Sequence, residues 1–311
     1  MPVFLKTETL GRWYVIPIGV DADGMFIGEE RTIKPFWEGN HSFDFTFEAL
    51  GSTIYCFGLD DSVFKLDAIG PMTDGWIHAP SMNAPRCEPH KLVLDSKLYV
   101  LGSYMPSLDF YAEVFDPVTN KWVVLPEPPY EMSFSRISAA LENPNRILVA
   151  SEVPQLPSGG CYYDNLSAVF FVYDVGNGDW KMLEPAQRKI HRSCPIRTQG
   201  MAQAVANFLY WITEDLYLLC YDLDLDMWFL GPLDGILLPH DEAFLPVFVH
   251  LENHRFCILQ CPLCKDNDYY IQCDIIDVTR IPEEESLGVS VVWSHKFKTD
   301  EPTTIMEWCL L

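Results

Sequence analysis

Basic residues are scarce in this chain. Its 311 residues include 21 Lys and Arg against 44 Asp and Glu, a formal net charge of −23. Nucleic acid is a polyanion that needs clustered Lys and Arg, so it is excluded as a partner class. Anionic membrane surfaces are disfavoured for the same reason. No apolar run reaches membrane-spanning length. The N-terminal "MPVFLKTETLGRWYVIPIG" lacks a basic segment followed by an apolar core, so no secretory leader is expected. The 10 cysteines show no framework spacing, which predicts free thiols in a reducing compartment and a cytoplasmic or nucleocytoplasmic protein. Asn40-His41-Ser42 and Asn165-Leu166-Ser167 then read as chance glycosylation sequons. HExxH, GxSxG, phosphate-cradling glycine loops and basic aromatic patches are all missing.

What is abundant is aromatic and turn-forming: 14% Phe, Trp and Tyr, with 23 Pro and 18 Gly. This mix predicts many short strands joined by turns. The stretch "AEVFDPVTNKWVVLPEPP" (112–129) contains Phe115-Asp116, five residues, then Trp122. The same pattern recurs as Tyr173-Asp174 to Trp180 and as Tyr221-Asp222 to Trp228. Looser copies surround Trp76 and end in Trp293. Upstream of each lies a polar turn and a short apolar strand, as in "LDSKLYVLG" and "LGSTIYCFG". Each unit therefore reads as four antiparallel strands, a to d, with tight a–b turns. Such a unit cannot cover both its faces alone, and packing units around an axis covers them.

The Asp-Pro turn, the Trp opening strand d and the "LYVLG" strand resemble the kelch repeat over about residues 41–297. The kelch diglycine is absent; Gly58 and Gly102 keep one of its two glycines. The resemblance implies an all-β fold, a single six-bladed β-propeller of four-stranded antiparallel blades. Blades are expected at about 41–80, 81–130, 131–186, 187–235 and 236–297, within one domain over 1–311. Residues 1–40 and 298–311 complete the sixth, with "TTIMEWCLL" as its innermost strand and "MPVFLKT", "GRWYVIPIG" and "TIKPFW" as the others. The best overall similarity is to the kelch half of plant F-box/kelch proteins. No F-box is read ahead of the propeller here, so a stand-alone binding module is expected.

The b–c loops and d–a connections share one face and carry the longer segments, at 103–109, 152–166 and 261–268. Long loops on a rigid scaffold are the usual binding surface. Counting back from each a–b turn places Asp44, Glu88, Arg136 and Gln199 at equivalent positions at the channel mouth. Thr46, His90, Ser138 and Met201 follow two residues later on the same strand face. In the resembling family, residues at this mouth commonly contact ligands. Arg136, Gln199, Arg86, Arg192, Tyr104 and Tyr162 are the candidate ligand-binding residues, for a protein partner or a small molecule. Arg86 has an equally concrete alternative, an ion pair joining adjacent blades. Glu88, His90 and Asp44 are candidate acids and bases for an enzyme acting on a small organic substrate. The d-strand tryptophans are expected to pack between blades. Cys257, Cys261, Cys264 and Cys273 are the only metal-like group, and the lack of a second CxxC pair argues against zinc. A monomer without metal or cofactor is expected.

Overall fold

The structure, a computed structural model, describes residues 2–7, 12–18, 33–34, 46–68, 75–87, 89–102, 110–129, 135–152, 167–184, 188–191, 202–213, 215–236, 246–262, 269–299 and 305–310. Among them the chain is all β, apart from one 3₁₀ turn at Pro282–Glu284.

The recurring motif is a hairpin in which each position has a local task. The aromatic and the Trp are directly opposite each other on strands c and d: Phe115 faces Trp122, Tyr173 faces Trp180, and Tyr221 faces Trp228. Their rings lie 5.2, 5.2 and 4.4 Å apart. The Asp carboxylate accepts backbone N–H groups of the turn that follows. Asp116 takes Val118 at 2.8 Å, Asp174 takes Asn177 at 3.0 Å, and Asp222 takes Asp224 at 2.9 Å. Two residues before each Trp the backbone turns left-handed, at Asn120 (φ 55), Gly178 (φ 71) and Asp226 (φ 53). Asn, Gly and Asp are the residues that tolerate this conformation.

Strands a to d follow in chain order within each unit. Thr46–Leu50, Thr53–Phe57, Val63–Asp67 and Ile77–Ala79 form the Trp76 sheet. His90–Leu94, Lys97–Leu101, Ala112–Asp116 and Lys121–Val124 form the Trp122 sheet. The Trp180 sheet runs from Ser135–Leu141 through Arg146–Glu152 and Ser167–Asp174 to Asp179–Met182. The N- and C-terminal strands meet as expected: Pro2–Thr7 lies between Trp13–Pro17 and Ile305–Leu310.

The cores lie between sheets. One cluster joins Trp13 to Phe47 and Trp76, the next Tyr55 and Phe57 to Phe115 and Trp122, and a third Leu92 and Tyr99 to Phe171 and Trp180. Phe170 then packs with Tyr221 and Trp228, Phe229 with Phe248 and Phe256, and Val249 and Cys257 with Val3 and Ile16. The sequence of clusters thus returns to the terminal sheet from which it started. This cyclic packing is how a β-propeller buries both faces of every sheet.

The structure corrects two sequence expectations about the strands. Trp293 does not open a d strand: it sits within Ser286–Lys298, which pairs along its length with Tyr270–Ile281. This hairpin lacks the Asp-capped turn and reverses later, at Pro282–Glu284, where Glu285 takes a left-handed conformation (φ 50). Its extension reaches the neighbouring strand Met227–Pro232 through a parallel bridge from Leu230 to Ser286, fusing two units into an eight-stranded sheet. A side chain at Gly231 has no space there, since a Cβ would stand 2.4 Å from the Leu287 carbonyl oxygen.

The second correction concerns register. The a–b turn of the Trp180 unit has four residues, joining Leu141 to Arg146, and begins at Glu142. The matching turn of the Trp122 unit is the two-residue Asp95-Ser96. Counting back from a turn start at Asn143 therefore misplaced this strand by one residue. Ile137, not Ser138, is the counterpart of His90, so Ser138 faces the opposite way.

Candidate functional site: the channel wall and its loop-face mouth

The innermost strands are tied to one another in turn. Lys91 donates from Nζ to the Phe47 carbonyl at 3.1 Å, linking the Trp122 and Trp76 units. His90 Nδ1 lies 2.6 Å from Ser138 Oγ, linking Trp122 to Trp180. The Ala202 N–H donates to the Ser138 carbonyl at 3.0 Å, and the His250 N–H to Gln203 Oε1 at 3.0 Å. The His90–Ser138 contact depends on the register just described. His90 shares a face with Leu92 and Leu94, which pack toward the Trp180 unit, and the one-residue offset turns Ser138 back toward His90.

Ser138 is fully buried. Burial, with the neighbouring Lys91 charge, pushes the His90 imidazole down to about 4. A free imidazole titrates near ~6.5. Between these values the unfolded chain binds a proton that the folded chain refuses, so stability rises with pH across that window. His90 contributes nothing to pH sensitivity above about pH 6.5, and its neutral form is progressively outcompeted as pH falls toward about 4. We expect the urea midpoint of the native protein to drop over this range more steeply than that of His90→Gln. Parallel profiles for the two proteins would assign the acid sensitivity elsewhere.

Arg86 requires correction as a ligand-binding candidate. It is 1% exposed, and its Nε meets Glu113 Oε1 at 3.0 Å. Its Nη1 donates to the carbonyls of Gly102 and Tyr111, both at 2.9 Å. Glu113, also buried, takes the Asn83 backbone N–H at 2.8 Å and its side-chain amide at 2.9 Å. Burial lowers the Arg86 pKa, and the Glu113 charge opposes that shift. The set pins the connection after strand d of one unit to strand c of the next. Glu113 was missed by sequence reasoning, although a Glu inside the apolar strand "AEVFD" signals a buried partner. Arg188 repeats the device: 4% exposed, it donates to the Leu223 carbonyl and Tyr221 hydroxyl, both at 2.9 Å.

The tryptophans are joints, as expected. The indole N–H of Trp122 donates to the Pro80 carbonyl at 2.9 Å, that of Trp180 to Pro126 at 2.7 Å, and that of Trp228 to Lys189 at 2.9 Å. Pro80 and Pro126 lie just after strand d of the preceding unit, and Lys189 lies further along, in the short strand Arg188–Lys189 of the Trp180 sheet. Cys257 and Cys273 are buried between units with Sγ atoms 3.6 Å apart, and the Cys257 contact and burial push the Cys273 thiol up. Among the described residues no cluster of His, Cys, Asp or Glu is grouped to hold a metal. Asp44, Glu88, Gln199, Arg192, Tyr104, Tyr162, Met201 and Cys264 lie outside the described residues, and Arg136 is placed only by its strand. No helix among the described residues is long and apolar enough to cross a membrane.

The kelch motif family matches residues 85–129, from the Arg86 connection through the Trp122 hairpin. The F-box/kelch-repeat protein At4g19330 of Arabidopsis thaliana is 32% identical over 114 residues, covering 33% of this chain and 28% of its own length. The putative F-box/kelch-repeat protein At4g11770 of the same plant is 38% identical over 104 residues, 31% of this chain and 25% of that one. A third, At4g19865, is 28% identical over 192 residues, 60% of this chain and 41% of its own. The chain therefore spans between about a quarter and two fifths of these relatives. Among solved structures, YjhT aligns over 79% of this chain and 96% of its own, with 13% identity and a TM-score of 0.47. Residues 85–129 are thus a kelch motif, set in an all-β chain that is similar to plant F-box/kelch-repeat proteins over part of each.

Proposed function

We propose that the chain closes as one six-bladed ring and serves as a binding module, holding a protein partner at the loop-face mouth of its channel. The six inter-sheet clusters, which return to the terminal sheet, support the blade count. The observation that carries the binding role is the hydrogen-bonded succession of innermost strands, Phe47 to Lys91, His90 to Ser138, Ser138 to Ala202 and Gln203 to His250. It ties together the innermost strands of successive sheets, and the loops at 103–109 and 152–166 join strands b and c of two of those sheets. A rigid frame under long loops suits recognition, and kelch-repeat relatives support a protein partner over a substrate. An acid–base role for His90 is weakened by its depressed basicity and its bond to a buried hydroxyl.

The test separates the two faces of the ring. A partner purified in a stoichiometric complex is expected to lose at least about tenfold in affinity to Arg136→Ala or Tyr104→Ala, a change of roughly 1.4 kcal/mol. Val118→Asp, at a 92% exposed turn position on the opposite face, is expected to leave binding unchanged. Loss of binding with Val118→Asp alone would move the contact surface to the short-turn face.

A further inference from the structure

A polar cluster sits within the sheet of the Trp293 unit, on the face that packs toward the Trp228 unit. Gln272 and Asp274 lie two residues apart on one strand, continuing the face that carries Ile276 and Val278. Ser294 stands directly opposite Asp274 on the outer strand, and Gln260 directly opposite Gln272 on the inner one. Gln260, Gln272 and Asp274 are 2%, 3% and 2% exposed, whereas Ser294 is exposed at the sheet's outer edge.

The donors in this cluster are all in use. Gln272 Nε2 donates to Asp274 Oδ1 at 2.9 Å and to Ser294 Oγ at 2.6 Å, which occupies both amide hydrogens. The Ser294 hydroxyl donates its single hydrogen to Asp274 Oδ1 at 2.6 Å. Two oxygens remain, Asp274 Oδ2 and Gln272 Oε1, each buried without a hydrogen-bond partner. Flipping the amide gives no relief, because it would point its oxygen at the Asp274 carboxylate. Both orphans are acceptors, and one belongs to a carboxylate. A buried acceptor left unpaired costs about 1–3 kcal/mol, more when it is charged. Lys296, the register partner of Gln272, directs its ammonium to the Tyr270 ring, 4.4 Å from the centroid.

We infer that Asp274 Oδ2 and Gln272 Oε1 are ligands for a hard metal cation, entering past Ser294 from the outer edge of the sheet. Carboxylate and amide oxygens completed by water are the ligand set of calcium and of comparable oxygen-seeking ions. A cation satisfies both orphan oxygens and offsets the buried charge, which a water molecule does only in part. The Gln260 side chain, on the same face, lies next in the ladder to the two ligands. The ion would brace the Trp293 sheet against the Trp228 unit, remote from the channel mouth.

The experiment is a thermal melt of the full chain after chelation and desalting, with CaCl₂, MgCl₂, NaCl or KCl titrated separately. Choline chloride at equal ionic strength controls for screening of the net charge of −23. At least one metal salt is expected to raise the midpoint saturably above the choline control, by about 3 °C or more at a hundredfold excess over its dissociation constant. Asp274→Asn should remove that saturable rise. Should that variant fail to melt cooperatively, Gln272→Glu serves instead: it adds a ligand charge and should move the half-saturating concentration lower, by about tenfold. Metal and choline titrations that coincide for the native protein overturn the inference. So does a metal response that is unchanged in a folded Asp274→Asn or in Gln272→Glu.

Discussion

Replacing Glu113 by Ala is expected to cost about 3–5 kcal/mol of stability, because it leaves a buried guanidinium without its counter-charge. Arg86 is 1% exposed and cannot reach solvent without releasing the Gly102 and Tyr111 carbonyls. Arginine does not escape by losing its proton, even though burial lowers its pKa. The loss should appear as a lower urea midpoint with little change in the slope of the transition. Combining Arg86→Met with Glu113→Leu should recover much of the stability, since an apolar pair of similar volume replaces a buried ion pair at small net cost. Asn83, which also bonds to Glu113, would keep the recovery incomplete. A single Glu113→Ala variant as stable as the native protein would show that the Arg86 site is open to water in solution.

Trp122→Ala should be of similar size, about 3–5 kcal/mol. The indole contacts Phe115 within its own sheet, with centroids 5.2 Å apart, and Phe57 in the preceding one at 6.3 Å. Its N–H also holds the Pro80 carbonyl. Trp122→Phe separates these contributions: it keeps an aromatic ring and loses the hydrogen bond, for about 1 kcal/mol beyond the change in packing. Val118→Asp, in the same hairpin, should stay within about 0.5 kcal/mol. Differential scanning calorimetry on the three variants would rank them, and equal effects for Phe and Ala would make the hydrogen bond, not the ring, the joint.

These residues differ in how visible they were beforehand. The aromatic, the Asp and the Trp of each repeat were legible because each has a partner within its own hairpin, through cross-strand contact or a turn N–H two or three residues away, whatever else the Trp touches in the preceding unit. The Asp-capped turn and the left-handed residue before Trp leave a fixed spacing that survives divergence. Arg86 and Glu113 are 27 residues apart, and His90 and Ser138 are 48 apart. Nothing local links such pairs, so their partnership follows only from the way one sheet meets the next. Ser138 was misassigned through a single extra turn position, since alternation along a strand reverses every side chain after a one-residue slip. The long Trp293 hairpin was hidden for a related reason: a search for the short turn stops where that turn should be. The Asp274 cluster is visible only when hydrogens are counted across three strands.

The fused sheet at Gly231 has a consequence for behaviour in solution. Each outermost strand offers a row of unpaired backbone groups to any extended segment, including one from a second chain. Lys121 and Lys181 guard two of these rims beside the exposed Val123 and Met182. Along Met227–Pro232 the guard is the chain itself, since the start of the Ser286–Lys298 strand bridges to Leu230 and the contact at Gly231 is too close to admit a substitute there. Shortening this hairpin would therefore expose an adhesive edge, and the first symptom would be self-association at high protein concentration.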